Sequence, residues 1–212
     1  MTQSETYSGK RRWPWWAIAL SVLAAAWVLL TISGVAVVGI DKLRFTRHKL
    51  EQGFEIWVGW RTLLFIHAVS AAVAIATGTA SFILKHHRNW QLHRWLGTSY
   101  VLAVAVSAAA SFPLASTATG GPVSVAGFIV LGFGWTLTTG IAYQTARKKD
   151  FENHSRWMIR SYAFSLTNTT FHLILVPLTA YMGDRTSAYQ LSVWLCMVIN
   201  LSLAELVVRN QQ

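Results

Sequence analysis

Apolar residues in this chain are gathered into long runs, without the periodic polar face that a soluble helix keeps towards water. The stretch from Trp15 to Val38 carries no charge and no strongly polar side chain. It exceeds the roughly 20 residues needed to cross about 30 Å of hydrocarbon. Five further runs follow at about 62–84, 96–115, 123–145, 159–182 and 188–208. The pattern predicts an all-α integral membrane bundle of six transmembrane helices, a single membrane domain over 1–212. Its four-helix core (spans two to five) is flanked by spans one and six. Pro113 and Pro177 fall inside spans, where neighbouring helices can satisfy the backbone groups that proline frees. Lys10-Arg11-Arg12 precedes span one as the basic segment of a signal peptide would. The apolar run is too long for one and lacks a small-residue cleavage site, so an uncleaved anchor is expected.

Composition agrees with this pattern. Hydrophobic residues make up 53% and charged residues only 12%, about half the charged fraction of a globular domain. A net charge of +10 raises the question of nucleic acid. The basic residues flank apolar runs instead of forming one stripe, so no nucleic-acid partner is expected. Placing the N-terminus inside assigns twelve of the 18 Lys and Arg to inner segments and six to outer ones. This favours a multi-pass protein of the cell membrane with both termini cytoplasmic. The 41–61 loop is the exception, with five basic residues on the outer side. Trp13, Trp15, Trp16, Trp57, Trp60, Trp90, Trp95 and Trp157 lie at the expected span ends, the headgroup level that indole rings prefer. The lone Cys196 sits in an apolar run and offers neither a disulfide framework nor a thiolate metal site.

Candidate chemistry lies in the seven histidines. His48, His86 and His87 fall in loops and read as solvated residues. His67 lies in span two and His172 in span five, and an ionisable side chain at membrane depth is a candidate functional group. The alternative is a neutral imidazole bonding helix to helix. His67 stands 18 residues from the inner end at Lys85, and His154 stands 18 residues before His172, about 27 Å in a helix. His67 and His172 are therefore expected in an outer layer, His93 and His154 in an inner one. Paired imidazoles from different helices can ligate b-type haem axially. A non-haem metal, or purely structural histidines, suits the inner layer as well. Arg94, Arg156 and Arg160 near the inner helix starts suit lipid phosphate or an anionic ligand such as haem propionates. On span three, His93, Gly97 and Tyr100 share one face.

Two hairpins echo each other. Each basic inner loop ends in a histidine followed by Arg-Trp, at His93-Arg94-Trp95 and at His154-Ser155-Arg156-Trp157, with Tyr100 and Tyr162 about two turns on. The echo places His93 and His154 at equivalent positions about a pseudo-two-fold axis along the membrane normal.

His67, His93-Arg94-x-x-Gly97-x-x-Tyr100, Trp135 and His154-Ser155-Arg156-Trp157-Met158-Ile159-Arg160 resemble an uncharacterised bacterial membrane family, domain of unknown function 2306, over roughly 60–180. The resemblance implies a multi-pass membrane protein and no established activity. An arginine often stands in that family where this chain has His172. In helix count and histidine placement the chain is also similar, distantly, to the di-haem cytochrome b group.

Two classes of function follow. One is a membrane electron-transfer protein in which His67, His93, His154 and His172 hold b-type haem or another metal, with Tyr100 and the three arginines around the cofactor and a quinol or redox protein as partner. The other is a metal-handling or membrane-complex assembly protein with structural histidines. No catalytic residue is assigned. An intramembrane zinc hydrolase needs a carboxylate near its metal, and the one deep acid is Glu205, near the end of span six. No phosphate-cradling glycine loop is present.

Overall fold

The computed structural model describes residues 44–51, 53–55, 57–84 and 89–210, with isolated positions 19, 22, 23 and 26. The rest of the expected span 15–38, and His86 and His87, fall outside this set. The described residues form helices only: α1 (Arg44–Glu51), α2 (Val58–Leu84), α3 (Trp90–Ala115), α4 (Gly121–Arg147), α5 (Phe151–Ser165), α6 (Thr167–Met182) and α7 (Arg185–Arg209). Of these, α2, α3, α4 and α7 are each long and apolar enough to cross a membrane. They correspond to expected spans two, three, four and six, extended by up to two turns at their ends. At 1.5 Å per residue, 27 residues in α2 span about 40 Å, which reaches past the hydrocarbon into the headgroup region.

Expected span five is broken. Leu166 separates α5 from α6, and its N–H donates to Ala163 O at 3.2 Å in a tighter turn than an α-helix makes. A break inside a membrane is tolerated only if neighbouring groups satisfy the freed backbone, and here they do. Thr167 Oγ1 donates to Phe164 O at 2.6 Å. From α7, Asn200 Nδ2 donates to Ala163 O at 3.1 Å, and Asn200 Oδ1 accepts from Thr170 Oγ1 at 2.8 Å. A hydropathy pattern cannot register this break, because both halves remain apolar.

The helices pack α2 on α3, α3 on α4, α4 on α5, and α5 back on α2. This ring leaves α3 and α5 facing each other on a diagonal without their backbones packed together. α6 and α7 pair with each other, and α7 also covers α5 and α4. The ring is filled by Ala74, Ile75, Tyr100, Val104, Trp135, Met158, Tyr162 and Phe164. Outward faces carry exposed Phe65, Val73, Leu102, Phe133, Leu137, Leu173 and Val176, as expected where lipid is the solvent.

Helix starts are capped by side chains. Asn89 Oδ1 accepts from Leu92 N at 3.0 Å, and Asp150 Oδ1 accepts from Asn153 N at 3.2 Å. Asp184 accepts from Thr186 N and Ser187 N at 3.0 and 2.9 Å. At the end of the ring opposite the Asn89 and Asp150 caps, α1 folds onto the α3–α4 turn. Lys49 Nζ donates to Thr117 O and lies 4.7 Å over the Phe54 ring, while Trp60 Nε1 donates to Thr117 Oγ1 at 3.0 Å. Burial lowers the Lys49 pKa from its ordinary value. Lys49, one of the basic residues that weaken the orientation count, is thus engaged in fastening its loop.

Two outcomes follow. Asn200→Leu removes one of two bonds at the Ala163 carbonyl and one of two acceptors of the Thr170 hydroxyl, and thermal unfolding in detergent is expected to show a loss of about 1–2 kcal/mol. The side chain and N–H of Asn153 hold the Asp150 carboxyl below its ordinary pKa, and Ser187 and Thr186 do the same for Asp184. A carboxylate with a depressed folded-state pKa stabilises above its unfolded pKa and ceases to as pH falls through the folded one. Amide exchange at the starts of α5 and α7 should therefore accelerate in that acid window, and Asp150→Asn with Asp184→Asn, which cap without titrating, should remove the effect.

Candidate functional site

Tyr100 is the centre of the ring and fully buried. Its hydroxyl meets three side chains on two helices: Trp135 Nε1 of α4 donates to it at 3.3 Å, and Ser161 Oγ and Ser165 Oγ of α5 lie at 2.7 and 3.1 Å. The direction of the chain can be read from its end. Thr139 Oγ1 donates to the Trp135 carbonyl at 2.7 Å, which can only accept. Ser161 then donates to Thr139 Oγ1 at 2.6 Å, Tyr100 donates to Ser161, and Ser165 donates to Tyr100. Tyr100, Ser161 and Thr139 each both give and receive, and Ser165 gives, so every hydroxyl has a partner in the low-dielectric interior.

Tyr162, which the sequence echo aligns with Tyr100, turns to a different neighbour. Its hydroxyl lies 2.6 Å from Thr79 Oγ1 on α2, and its ring packs edge-on to Phe82 at 5.2 Å. Gly78 makes room for it: a Cβ there would stand 2.7 Å from the Tyr162 ring and 3.2 Å from that of Tyr100. In space Tyr100 meets Ser161, 61 residues on. The same offset relates the caps Asn89 and Asp150, the aromatic residues Trp90 and Phe151, and the histidines His93 and His154.

That register places the inner histidines. One turn before them, Trp90 meets Phe151 edge-on with ring centroids 5.4 Å apart. Two turns after them, Tyr100 bonds Ser161. His93 and His154 are bracketed between these contacts, at one level on facing helices. Trp90 also stacks on His93 at 5.9 Å. Between His93 and Tyr100 on the same face of α3 stands Gly97, where a Cβ would meet nothing within 4 Å. Space is therefore open on the face that both residues share.

One histidine has a defined tautomer. His154 Nδ1–H donates to the Ala142 carbonyl of α4 at 2.8 Å. Because a carbonyl cannot donate, Nδ1 carries the proton and Nε2 keeps its lone pair, the orientation that a metal-ligating imidazole uses. His67 Nδ1 lies 3.0 Å from both the carbonyl and the hydroxyl of Ser107 on α3, one an acceptor and the other able to donate, so its ring is fixed on Ser107 in either tautomer. The outer layer is less convergent. His172 packs edge-on to Phe171 at 5.1 Å, in the cluster that α6 forms with α4 and α7 around Phe128 and Tyr189, and α2 and α6 are not a packed pair.

The arginines divide. Arg160 forms a two-point pair with Glu205 of α7 at 2.5 and 3.0 Å, its guanidinium 4.8 Å from the Trp157 ring centroid. Arg156 pairs with Glu152 at 2.6 Å. Both are thus engaged by carboxylates of the chain itself, while Arg94 is exposed beside His93. Glu205 is accounted for as the partner of Arg160. Among the described residues no three His, Cys, Asp or Glu side chains converge as a metal-binding group. The sequence reading did not single out Ser107, Thr139, Ser161, Ser165 or Gly78. A signal was available for two of them: Ser161 and Ser165 lie seven and eleven residues after His154, on its helix face.

These features define an all-helical membrane protein whose ring of helices is held by a buried hydroxyl network below one histidine level and above another. The chain belongs to the family described as predicted membrane protein, DUF2306, whose profile matches residues 64–208. No curated protein and no solved structure matches it significantly.

Gly78→Ala tests the packing beneath the network. The added methyl must displace the Tyr162 ring, at an expected cost of about 1–3 kcal/mol in detergent melting, and the fluorescence of Trp135 should shift as the Tyr100 contact loosens.

Proposed function

We propose that this protein binds b-type haem between α3 and α5, with His93 and His154 as axial ligands, and passes electrons across or along the membrane. The observation that supports the reading is the shared register of the two histidines on facing helices, beside the open face at Gly97. The donor chemistry fits. A porphyrin supplies four nitrogens, so two imidazoles complete the iron, and no three-residue cluster is required. His154 has its Nδ1 proton held by Ala142, leaving Nε2 to ligate. Bound haem would supply reversible one-electron chemistry. The chain's own residues orient the imidazoles, exclude water through the packed ring and, in Arg94, offer a cation beside the site for a propionate. By the count of basic residues this end faces the cytoplasm, with a soluble reductant or a quinol as the partner. His67, with Nδ1 fixed on Ser107, is the candidate for a second site in the outer half.

A reduced-minus-oxidised spectrum of the purified protein should show haem b Soret and α bands, lost in His93→Ala and in His154→Ala and retained in His172→Ala. Absence of these bands from the parent protein after expression with added haem precursor would sink the reading.

One observation favours the second reading, a metal-handling or complex-assembly protein with structural histidines. His67 and His154 already bond helix to helix through Nδ1. On that reading the purified protein carries no haem, and His154→Phe costs only about 1–2 kcal/mol of stability.

A further inference from the structure

The diagonal between α3 and α5 is crossed by two side-chain ties, the Trp90–Phe151 contact and the Tyr100 bonds to Ser161 and Ser165. Their backbones are not packed against each other, so these ties, with the α4 and α2 contacts on either side, set how far apart the two helices stand. A phenol reaches across this diagonal and ends in a hydroxyl; phenylalanine reaches as far but leaves Ser161, Ser165 and the Trp135 N–H without their shared partner. Gly78 admits the Tyr100 and Tyr162 rings together, which fixes the Tyr100 ring from the side opposite its hydroxyl. We infer that Tyr100 is a positioning residue, a hydrogen-bonded spacer that sets the gap between His93 and His154 two turns away.

The inference rests on the haem reading for its purpose, since a planar ligand held from both faces demands a fixed separation of its two axial groups. It does not rest on that reading for its geometry. The Tyr100 hydroxyl touches neither imidazole, and it acts through the two helices. Trp135 serves the same end from α4 by donating to the phenol oxygen, and Thr139 anchors Ser161.

The test measures the gap directly. In a Cys196→Ala background, nitroxide labels on Leu92→Cys and Asn153→Cys, which occupy equivalent exposed positions in the first turns of α3 and α5, report the separation by pulsed dipolar spectroscopy. The parent should give a single narrow distance distribution. Tyr100→Phe and Ser161→Ala should broaden or shift it, and Ser161→Thr, which keeps the hydroxyl, should restore it. Tyr100→Phe and Ser161→Ala, without labels, should release haem at least on the order of tenfold faster, since each loses more than one buried hydrogen bond. Unchanged distances and unchanged release in both Tyr100→Phe and Ser161→Ala overturn the spacer. A parent protein that binds no haem overturns the haem reading instead, and the distance distributions then judge the spacer alone.

Discussion

A polar group buried among membrane helices has no water to return to, so each hydroxyl or carbonyl in the ring must find its partner on a neighbouring helix. Around Tyr100 that requirement selects one arrangement. The phenol accepts hydrogen bonds from Trp135 and Ser165 and donates one to Ser161, which passes the direction on to Thr139 and the Trp135 carbonyl. Because lipid tails are as apolar as leucine, burial alone gives these helices no preferred rotation. The hydroxyl chain does, and the faces that carry His93 and His154 follow from it.

The same constraint explains the break in the fifth apolar run. Leu166 ends one helix and starts another, and Asn200, Thr167 and Thr170 take up the backbone and side-chain groups that the break would strand. Below it, α5 stays against α2 through Tyr162 and Gly78. Above it, α6 turns to α7. The histidines divide accordingly: His154 belongs to the ring, whereas His172 belongs to the aromatic cluster of α6 and α7.

The charged residues fit this division. Arg160 and Glu205 tie α5 to α7 with a two-point pair, so this cation is balanced from across the interface by a carboxylate of the chain itself. Beside His93 stand Trp90 and Gly97, the surroundings on which the haem proposal rests.

The apolar runs by themselves determined that the chain is helical and built for a membrane, and they located four of its long helices, because the hydrocarbon thickness is written directly into run length. The two His-Arg motifs were also legible and led to the family. The register of the echo was not. Matching Arg-Trp and Tyr along the chain pairs Tyr100 with Tyr162, whereas Tyr100 meets Ser161 in space, one residue and a 100° turn away. Only tertiary structure could decide this, because rotation about a helix axis depends on which neighbour supplies each hydrogen-bond partner. The break at Leu166 was hidden for the same reason: an apolar run reports depth, and what satisfies its backbone lies on another helix.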